Sequence, residues 1–237
     1  MSQQPQTQGN EKALEKISVK LVSENIRDGD ILGLGSGSTV AKFTRYLGQY
    51  VKEGTFEVKV VPSSTQAWLL AKENKLSLLP DSGHCPTEID VTVDGADQIA
   101  VPTRSMIKGG GGALLREKIM LSSSKKSYIL ADSSKYVPEL NRPVPVEVSP
   151  FSLLTIERKL KEELGAQPML RTLDKGYPFF TESGNLIFDC QFDSPIADPA
   201  GIEAKIKMVP GVVEAGVFNC KVDKFYQANQ DGTFEAH

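Results

Sequence analysis

The chain predicts an α/β protein: a Rossmann-like parallel sheet flanked by helices, followed by a smaller α+β ferredoxin-like domain. Three observations lead there. Short apolar strands alternate with amphipathic helices up to about residue 131. Four prolines then crowd one stretch, Pro138, Pro143, Pro145 and Pro150, and mark a boundary. Beyond it the elements run βαββαβ, the order of a split-βαβ unit.

The first ten residues are polar and glutamine-rich, so a frayed start is expected. A helix follows from about Glu11, with Leu14, Ile17, Leu21 and Val22 at helical spacing. Ile31-Leu32-Gly33-Leu34 reads as a buried strand that runs into a Gly/Ser loop. Val40, Phe43, Leu47 and Val51 then share one helix face. Phe56, Val58 and Val60 alternate as a strand, Pro62-Ser63-Ser64-Thr65 ends it, and the hydroxyls cap the next helix. Short strands follow at Leu76–Leu79 and Ile89–Asp94, then a helix over 113–123 and a strand at Tyr128–Ala131. In the second part, strands are expected at 144–148, 167–171, 186–192 and 212–218, with helices near 153–164 and 199–208. The domains are placed at 11–140, joined by a returning tail 219–237, and at 141–218.

At 237 residues, with 40% hydrophobic and 24% charged residues, the chain is long and apolar enough to bury a substantial core. The net charge of −3, with no Lys/Arg-rich block, argues against a nucleic-acid partner. Cys85, Cys190 and Cys220 are far apart and odd in number, and His84 and His237 lack ligand spacing to them. Reduced thiols are expected, with no disulfide framework and no metal site. No apolar run reaches membrane-spanning length, and the polar opening MSQQPQTQGN offers no secretory core; a cytoplasmic location is expected.

Four loops carry the chemistry, each expected after a strand end, where open parallel sheets bind ligands. Gly33-Leu34-Gly35-Ser36-Gly37-Ser38-Thr39 lacks the third glycine of a dinucleotide fingerprint and the GK[ST] of a P-loop. It leaves free N–H groups and hydroxyls at a helix N-terminus, a place for phosphate or a polyol. Asp94-Gly95-Ala96-Asp97 delivers two carboxylates across a glycine turn, for hydroxyl recognition or proton transfer; a plain Asp turn is the alternative. Lys108-Gly109-Gly110-Gly111-Gly112 is costly to order as a bare linker, so backbone amides approaching a ligand explain it better, with Lys108 a mobile cation at its entry. Glu117 falls on the first turns of the following helix, either as a base or as compensation for the helix dipole. Ala131-Asp132-Ser133-Ser134-Lys135 adds a further cation.

GLGSGST at 33–39, DGAD at 94–97, KGGGGALLREKI at 108–119 and ADSSK at 131–135, with PVEV at 145–148 and PGVV at 210–213, resemble the type A ribose-5-phosphate isomerases, in the same order and over nearly the whole chain. Ser36 stands where that family frequently has Thr. The resemblance implies aldose–ketose interconversion of ribose 5-phosphate and ribulose 5-phosphate in the pentose phosphate pathway, without a cofactor, by a homodimer or homotetramer. It implies Glu117 as the carbon base, and substrate contacts from Ser36, Gly37, Ser38, Thr39, Asp94, Gly95, Ala96, Asp97, Lys108, Gly109, Gly110 and Gly111. Lys135 would hold the phosphate, with Lys12 or Lys16 as a second phosphate lysine. The residue chemistry agrees: Asp94 suits ring opening and proton shuttling, Lys108 the oxyanion, and Asp97 the orientation of hydroxyls. A non-catalytic sugar-phosphate sensor would need a DNA-binding segment, yet one helix with few cations precedes Ile31. A coenzyme A transferase relative would need a larger chain.

Overall fold

The computed structural model describes residues 4–54, 56–79 and 84–237. Helix α1 (Gln4–Asn25) leads into β1 (Ile31–Leu34), α2 (Ser38–Lys52), β2 (Lys59–Pro62), α3 (Thr65–Glu73), β3 (Ser77–Leu78) and β4 (Ile89–Gly95). Two short strands follow, β5 (Gln98–Ala100) and β6 (Met106–Ile107), then α4 (Leu114–Ser122), β7 (Ser124–Asp132) and β8 (Tyr136–Val137). The chain continues through β9 (Val144–Val148), α5 (Leu153–Glu162), β10 (Gln167–Leu170), β11 (Leu186–Gln191), α6 (Pro199–Lys207), β12 (Val212–Ala215) and β13 (Val217–Phe218). It ends with β14 (Lys224–Ala228) and β15 (Phe234–Ala236).

Contacts divide the chain into two compact units: Met1–Gly95 with Ile119–Ser134 and Lys221–His237, and Ala96–Lys118 with Lys135–Cys220. In the first unit, seven strands among the described residues form one sheet, ordered β15-β14-β7-β4-β1-β2-β3. All neighbours are parallel except β14 and β15. Strand β14 pairs with β7 along Lys224–Ala228. From β1 the chain moves outward to β2 and β3, then returns to place β4 on the other side of β1. This reversal is a topological switch point, the position at which open α/β sheets leave a crevice beyond the strand carboxyl ends.

The sequence pattern explains these elements. Phe43 and Leu47 of α2 are buried against Leu32 and Leu34 of β1 and the α1 stripe of Ala13, Leu14, Ile17 and Leu21, in one cluster. Burying such a stripe is what stabilises a helix whose own propensity is modest. Ser64 caps α3, its hydroxyl accepting the Ala67 N–H at 3.2 Å. Helix α1 starts at Gln4 rather than near Glu11. Residues 1–3 of the polar opening lie outside the described residues.

In the second unit, four strands form an antiparallel sheet ordered β10-β11-β9-β12. With α5 and α6 this is the βαββαβ arrangement read from the sequence. Val144, Val146 and Val148 of β9 pack with Ile156 and Leu160 of α5 and Ile206 of α6, all fully buried. Two features differ from the sequence reading. The strand expected over 212–218 is two strands, because Gly216 breaks it and β13 turns away to pair with β6. Strands β13, β6, β5 and β8 form a further small sheet, whose two- and three-residue strands are too short to leave a periodic signal.

Removing the Phe43 side chain should therefore cost about 3–5 kcal/mol, the usual range for an aromatic lost from a packed core. A urea denaturation series should show a clear fall in the midpoint for Phe43→Ala. Leu69→Ala, at a residue 47% exposed, should stay within about 0.5 kcal/mol of the parent.

Candidate active site

In the first unit the Gly/Ser loop leaves β1 and enters α2 at Ser38, as predicted. Gly35 is required by close approach: a Cβ there would lie 1.8 Å from Asp94 Oδ1. The loop backbone therefore lies directly against the Asp94 carboxylate, which is fully buried at the end of β4. The Gly35 N–H also donates to the Val93 carbonyl at 3.0 Å, locking the loop to the strand that carries Asp94. Ser36 Oγ lies 2.7 Å from both Ser63 Oγ and Ser64 Oγ, forming a hydroxyl cluster across the ends of β1 and β2. Ser38 and Thr39 occupy the first turn of α2, whose leading N–H groups have no intrahelical acceptor. Among the described residues neither hydroxyl has a protein partner. The switch point thus gathers a buried carboxylate, hydroxyls and a helix N-terminus, a set suited to an anionic polyol.

Lys16 does not stand open: its ammonium donates to the Gly232 carbonyl at 2.8 Å, and Lys12 lies beside Gly232 as well. Both α1 lysines face the β14–β15 turn.

The second unit holds the other predicted groups. The glycine run leaves β6, a strand of the small second sheet, rather than a strand of the large parallel sheet as expected. Lys108 and Glu117 form an ion pair at 3.1 Å and are only 3% and 4% exposed. The Lys108 ammonium also sits 5.5 Å from the centroid of the buried Phe218 ring. The cation expected to be mobile is thus held on two sides, and the glutamate read as a base or as a dipole-balancing residue is buried against it. Burying charges is costly unless they are paired, and removing one partner of such a pair leaves the other uncompensated.

The glycines have distinct reasons. Gly109 and Gly112 adopt φ of 105° and 82°, and the Gly112 N–H closes the turn on the Gly109 carbonyl at 2.9 Å. Gly110 donates its N–H to Asp97 Oδ2 at 2.7 Å, so Asp97 braces this loop. Gly111 has neither constraint: φ is not positive, and a Cβ would meet nothing within 4 Å. Lys135 is half-buried at the end of a short 3₁₀ turn after β7.

Beside Glu117, Lys118 donates to Glu203 Oε1 at 2.6 Å, Glu214 Oε1 at 3.0 Å and the carbonyls of Ala215 and Val217 at 2.8 and 2.9 Å. Its ammonium is 4.4 Å from the Phe218 centroid, so one ring faces both lysines. This network ties the start of α4 to β12 and β13. Burial alone would raise Glu214, but the Lys207 and Lys118 ammonium groups and the Ala215 N–H together hold its carboxyl below the usual range. Lys118, Glu214, Phe218 and the serine pair Ser63-Ser64 were missed as functional partners in the sequence. Only Ser63-Ser64 carried a signal there, being hydroxyls at the end of a strand now seen beside β1.

The three cysteines are free thiols, and burial pushes Cys190 up to about 12. Among the described residues, no group of three or more His, Cys, Asp or Glu is placed to hold a metal ion, and no helix is long and apolar enough to cross a membrane.

With hydroxyls and a carboxylate at the switch point of its first unit and a buried lysine–glutamate pair in its second, this is an α/β protein whose units each carry groups capable of acid–base chemistry. Residues 59–232 match the family model for ribose 5-phosphate isomerase A (phosphoriboisomerase A). A ribose-5-phosphate isomerase A of Parvibaculum lavamentivorans is 44% identical over 212 residues, covering 86% of this chain and 89% of that one. The solved ribose 5-phosphate isomerase A of Methanocaldococcus jannaschii superposes with a TM-score of 0.86 at 32% identity, over 98% of both chains. A D-ribose-5-phosphate isomerase solved with phospho-erythronic acid gives a TM-score of 0.87 at 34% identity, over 97% of this chain and 98% of that one. The chain belongs to the ribose 5-phosphate isomerase A family.

The depressed Glu214 carboxyl makes a pH prediction with a definite sign. A group whose folded pKa is lowered contributes stability above its unfolded value, near 4.5, and loses it as pH falls through the folded value. Thermal melts of Glu214→Gln should show a lower Tm than the parent at neutral pH, with the gap closing below about pH 4.5.

Proposed function

We propose that this protein interconverts ribose 5-phosphate and ribulose 5-phosphate through an enediolate, in the pentose phosphate pathway. The observation that carries the reading is the buried Lys108–Glu117 pair, one partner at the entry of a glycine run and the other on the helix that follows it, in a member of the ribose 5-phosphate isomerase A family. Moving a proton between C2 and C1 of the open-chain sugar requires a base at carbon, a proton route between two oxygens and positive charge where the enediolate forms. Glu117 takes and returns the carbon-bound proton. Lys108 stabilises the oxyanion, and its fixed position avoids reorganisation as charge develops. Asp94 opens the ring and shuttles the hydroxyl proton, while Asp97 holds the glycine run and orients hydroxyls.

The phosphate belongs at the N-terminus of α2, with Ser38 and Thr39 and a charge contribution from Lys135. Ser36, Gly37, Gly95, Ala96, Gly109, Gly110 and Gly111 supply further substrate contacts. The complex of a related isomerase with phospho-erythronic acid supports this reading, because a phosphorylated sugar acid resembles the enediolate in charge and shape. A cytoplasmic homodimer or homotetramer acting without an added cofactor completes the proposal.

Glu117→Gln is nearly isosteric but unable to accept the proton, so kcat should fall about 10²–10⁴-fold with little change in KM. In heavy water the native enzyme should wash deuterium into the transferred position and the variant should not. Near-native turnover and exchange in Glu117→Gln would move the base elsewhere, to Asp94 or Asp97.

Thr39→Ala should act differently. Phosphate binding is shared by ground and transition states, so KM should rise about ten- to a hundredfold, the effect of a lost hydrogen bond to a charged group. Steady-state kinetics showing a collapsed kcat with unchanged KM would place Thr39 in the chemistry instead.

A further inference from the structure

The glycine run is gripped by a side chain that no motif announced. Arg171, immediately after β10, donates from Nη1 to the carbonyl oxygens of Gly109 at 2.8 Å and Gly110 at 3.2 Å. Its other two donor positions are taken by Asp189 of β11: Nε reaches Oδ2 at 2.9 Å and Nη2 reaches Oδ1 at 2.5 Å. The guanidinium carbon also lies 5.8 Å from the Phe179 ring centroid. Phe179 itself packs where a Cβ on Gly112 would stand, 2.5 Å away. The planar fork of arginine is thus fixed by a bidentate carboxylate and an aromatic ring, with its remaining nitrogen, Nη1, pointing at two consecutive carbonyls.

The peptide geometry says what this grip accomplishes. In a trans peptide the C=O and the N–H of one unit point in opposite directions, and both units here are trans. Arg171 draws in the Gly109 carbonyl, so the Gly110 N–H points the other way, and it does meet Asp97 Oδ2 at 2.7 Å. By the same rule the Gly110 carbonyl on Arg171 turns the Gly111 N–H away from Arg171. Among the described residues that N–H has no acceptor, Gly111 is exposed, and its missing side chain answers to no internal contact. A glycine that nothing in the protein requires, with an exposed N–H turned away from Arg171 and no protein acceptor among the described residues, is what a backbone donor to an external oxygen looks like.

We infer that Arg171 is a positioning residue: braced by Asp189 and Phe179, it holds the Gly110–Gly111 peptide so that the Gly111 N–H donates to an anionic oxygen of the bound sugar. The inference rests on the isomerase reading for the identity of that oxygen, the one that gains charge in the enediolate. Its geometry stands without it. Hydrogen bonding of the Gly110 carbonyl to a guanidinium also polarises the peptide and strengthens its N–H as a donor.

The test uses the full chain and three variants: Arg171→Ala, Arg171→Lys and Asp189→Asn. A misplaced group of this kind costs about a hundredfold in rate. Arg171→Ala should therefore lose about 10- to 100-fold in kcat on ribose 5-phosphate while KM changes less than about threefold, because the donor matters most when charge has developed. Arg171→Lys and Asp189→Asn should lie between the parent and Arg171→Ala, since neither can hold both carbonyls and the brace together. Millimolar guanidinium should restore part of the Arg171→Ala rate and leave the parent unchanged.

A readout independent of turnover is the Gly111 amide resonance on titration with phospho-erythronate. It should shift in the parent and stay unmoved in Arg171→Ala. Native kcat in Arg171→Ala overturns the inference while leaving the isomerase reading intact. A rate loss that merely tracks Tm and is not rescued by guanidinium overturns it too, as does a Gly111 resonance indifferent to phospho-erythronate in the parent. Absence of isomerisation by the parent defeats the isomerase reading instead, and the resonance then decides the inference alone.

Discussion

The lysine–glutamate pair of Lys108 and Glu117 is the constraint around which the second unit is built. Two opposite charges 3.1 Å apart and nearly without solvent access are stable only if their surroundings replace the water they lost. The Phe218 ring faces the Lys108 ammonium, supplying an electron-rich surface that is weaker than hydration but fixed. The Lys108 backbone is pinned by its N–H on the Gly216 carbonyl at 2.9 Å. The same position breaks the last strand of the small antiparallel sheet in two. A Cβ on residue 216 would lie 2.5 Å from the Lys108 carbonyl oxygen, so the strand break and the burial of the pair depend on one glycine.

Fixing Glu117 also requires fixing the helix that bears it. Lys118, the next residue, does this with two carboxylates and two carbonyls, drawing the start of α4 onto β12 and β13. The two lysines share Phe218, so the cation of the proposed chemistry and the residue that anchors the helix of Glu117 are coupled through a single ring. Such a network is strong when complete and fragile when one member is lost, because each buried charge relies on the others. The glycine run between Lys108 and α4 is similarly over-determined. Asp97 holds one side of it and Arg171 the other, which converts a sequence of high chain entropy into a loop with defined amide directions.

The first unit solves a different problem with different means. Its sheet places β1 and β4 side by side at the point where strand order reverses, so the Gly/Ser loop and Asp94 meet without any long connection. Asp94 is fully buried, and the loop at Gly35 approaches it so closely that no side chain fits between them. The serine cluster at 36, 63 and 64 follows from the same adjacency, since β1 and β2 are parallel neighbours and deliver their ends to one edge. Helix α2 then offers its N-terminus beside these hydroxyls, and an anion there meets unsatisfied N–H groups and the positive end of the helix dipole.

Much of this was legible in the chain before folding was considered. Strand and helix periodicity placed β1, α2, β4, α4 and β9 through α6, because one-sided burial leaves a period of two or 3.6 in the residue order. The loops Gly33–Thr39, Asp94–Asp97 and Lys108–Gly112 stood out because glycine runs and paired carboxylates are costly unless something uses them. What only the tertiary structure decided were the partnerships between residues far apart in sequence. Arg171 reaches Gly109, Lys118 reaches Glu214, and Phe218 lies against Lys108, across separations that no local pattern encodes. The strands β5, β6 and β8 were equally silent, since two or three residues cannot display alternation. Local sequence reports the burial of each element's own face, whereas the direction of a side chain or an amide is set by whichever distant element packs against it.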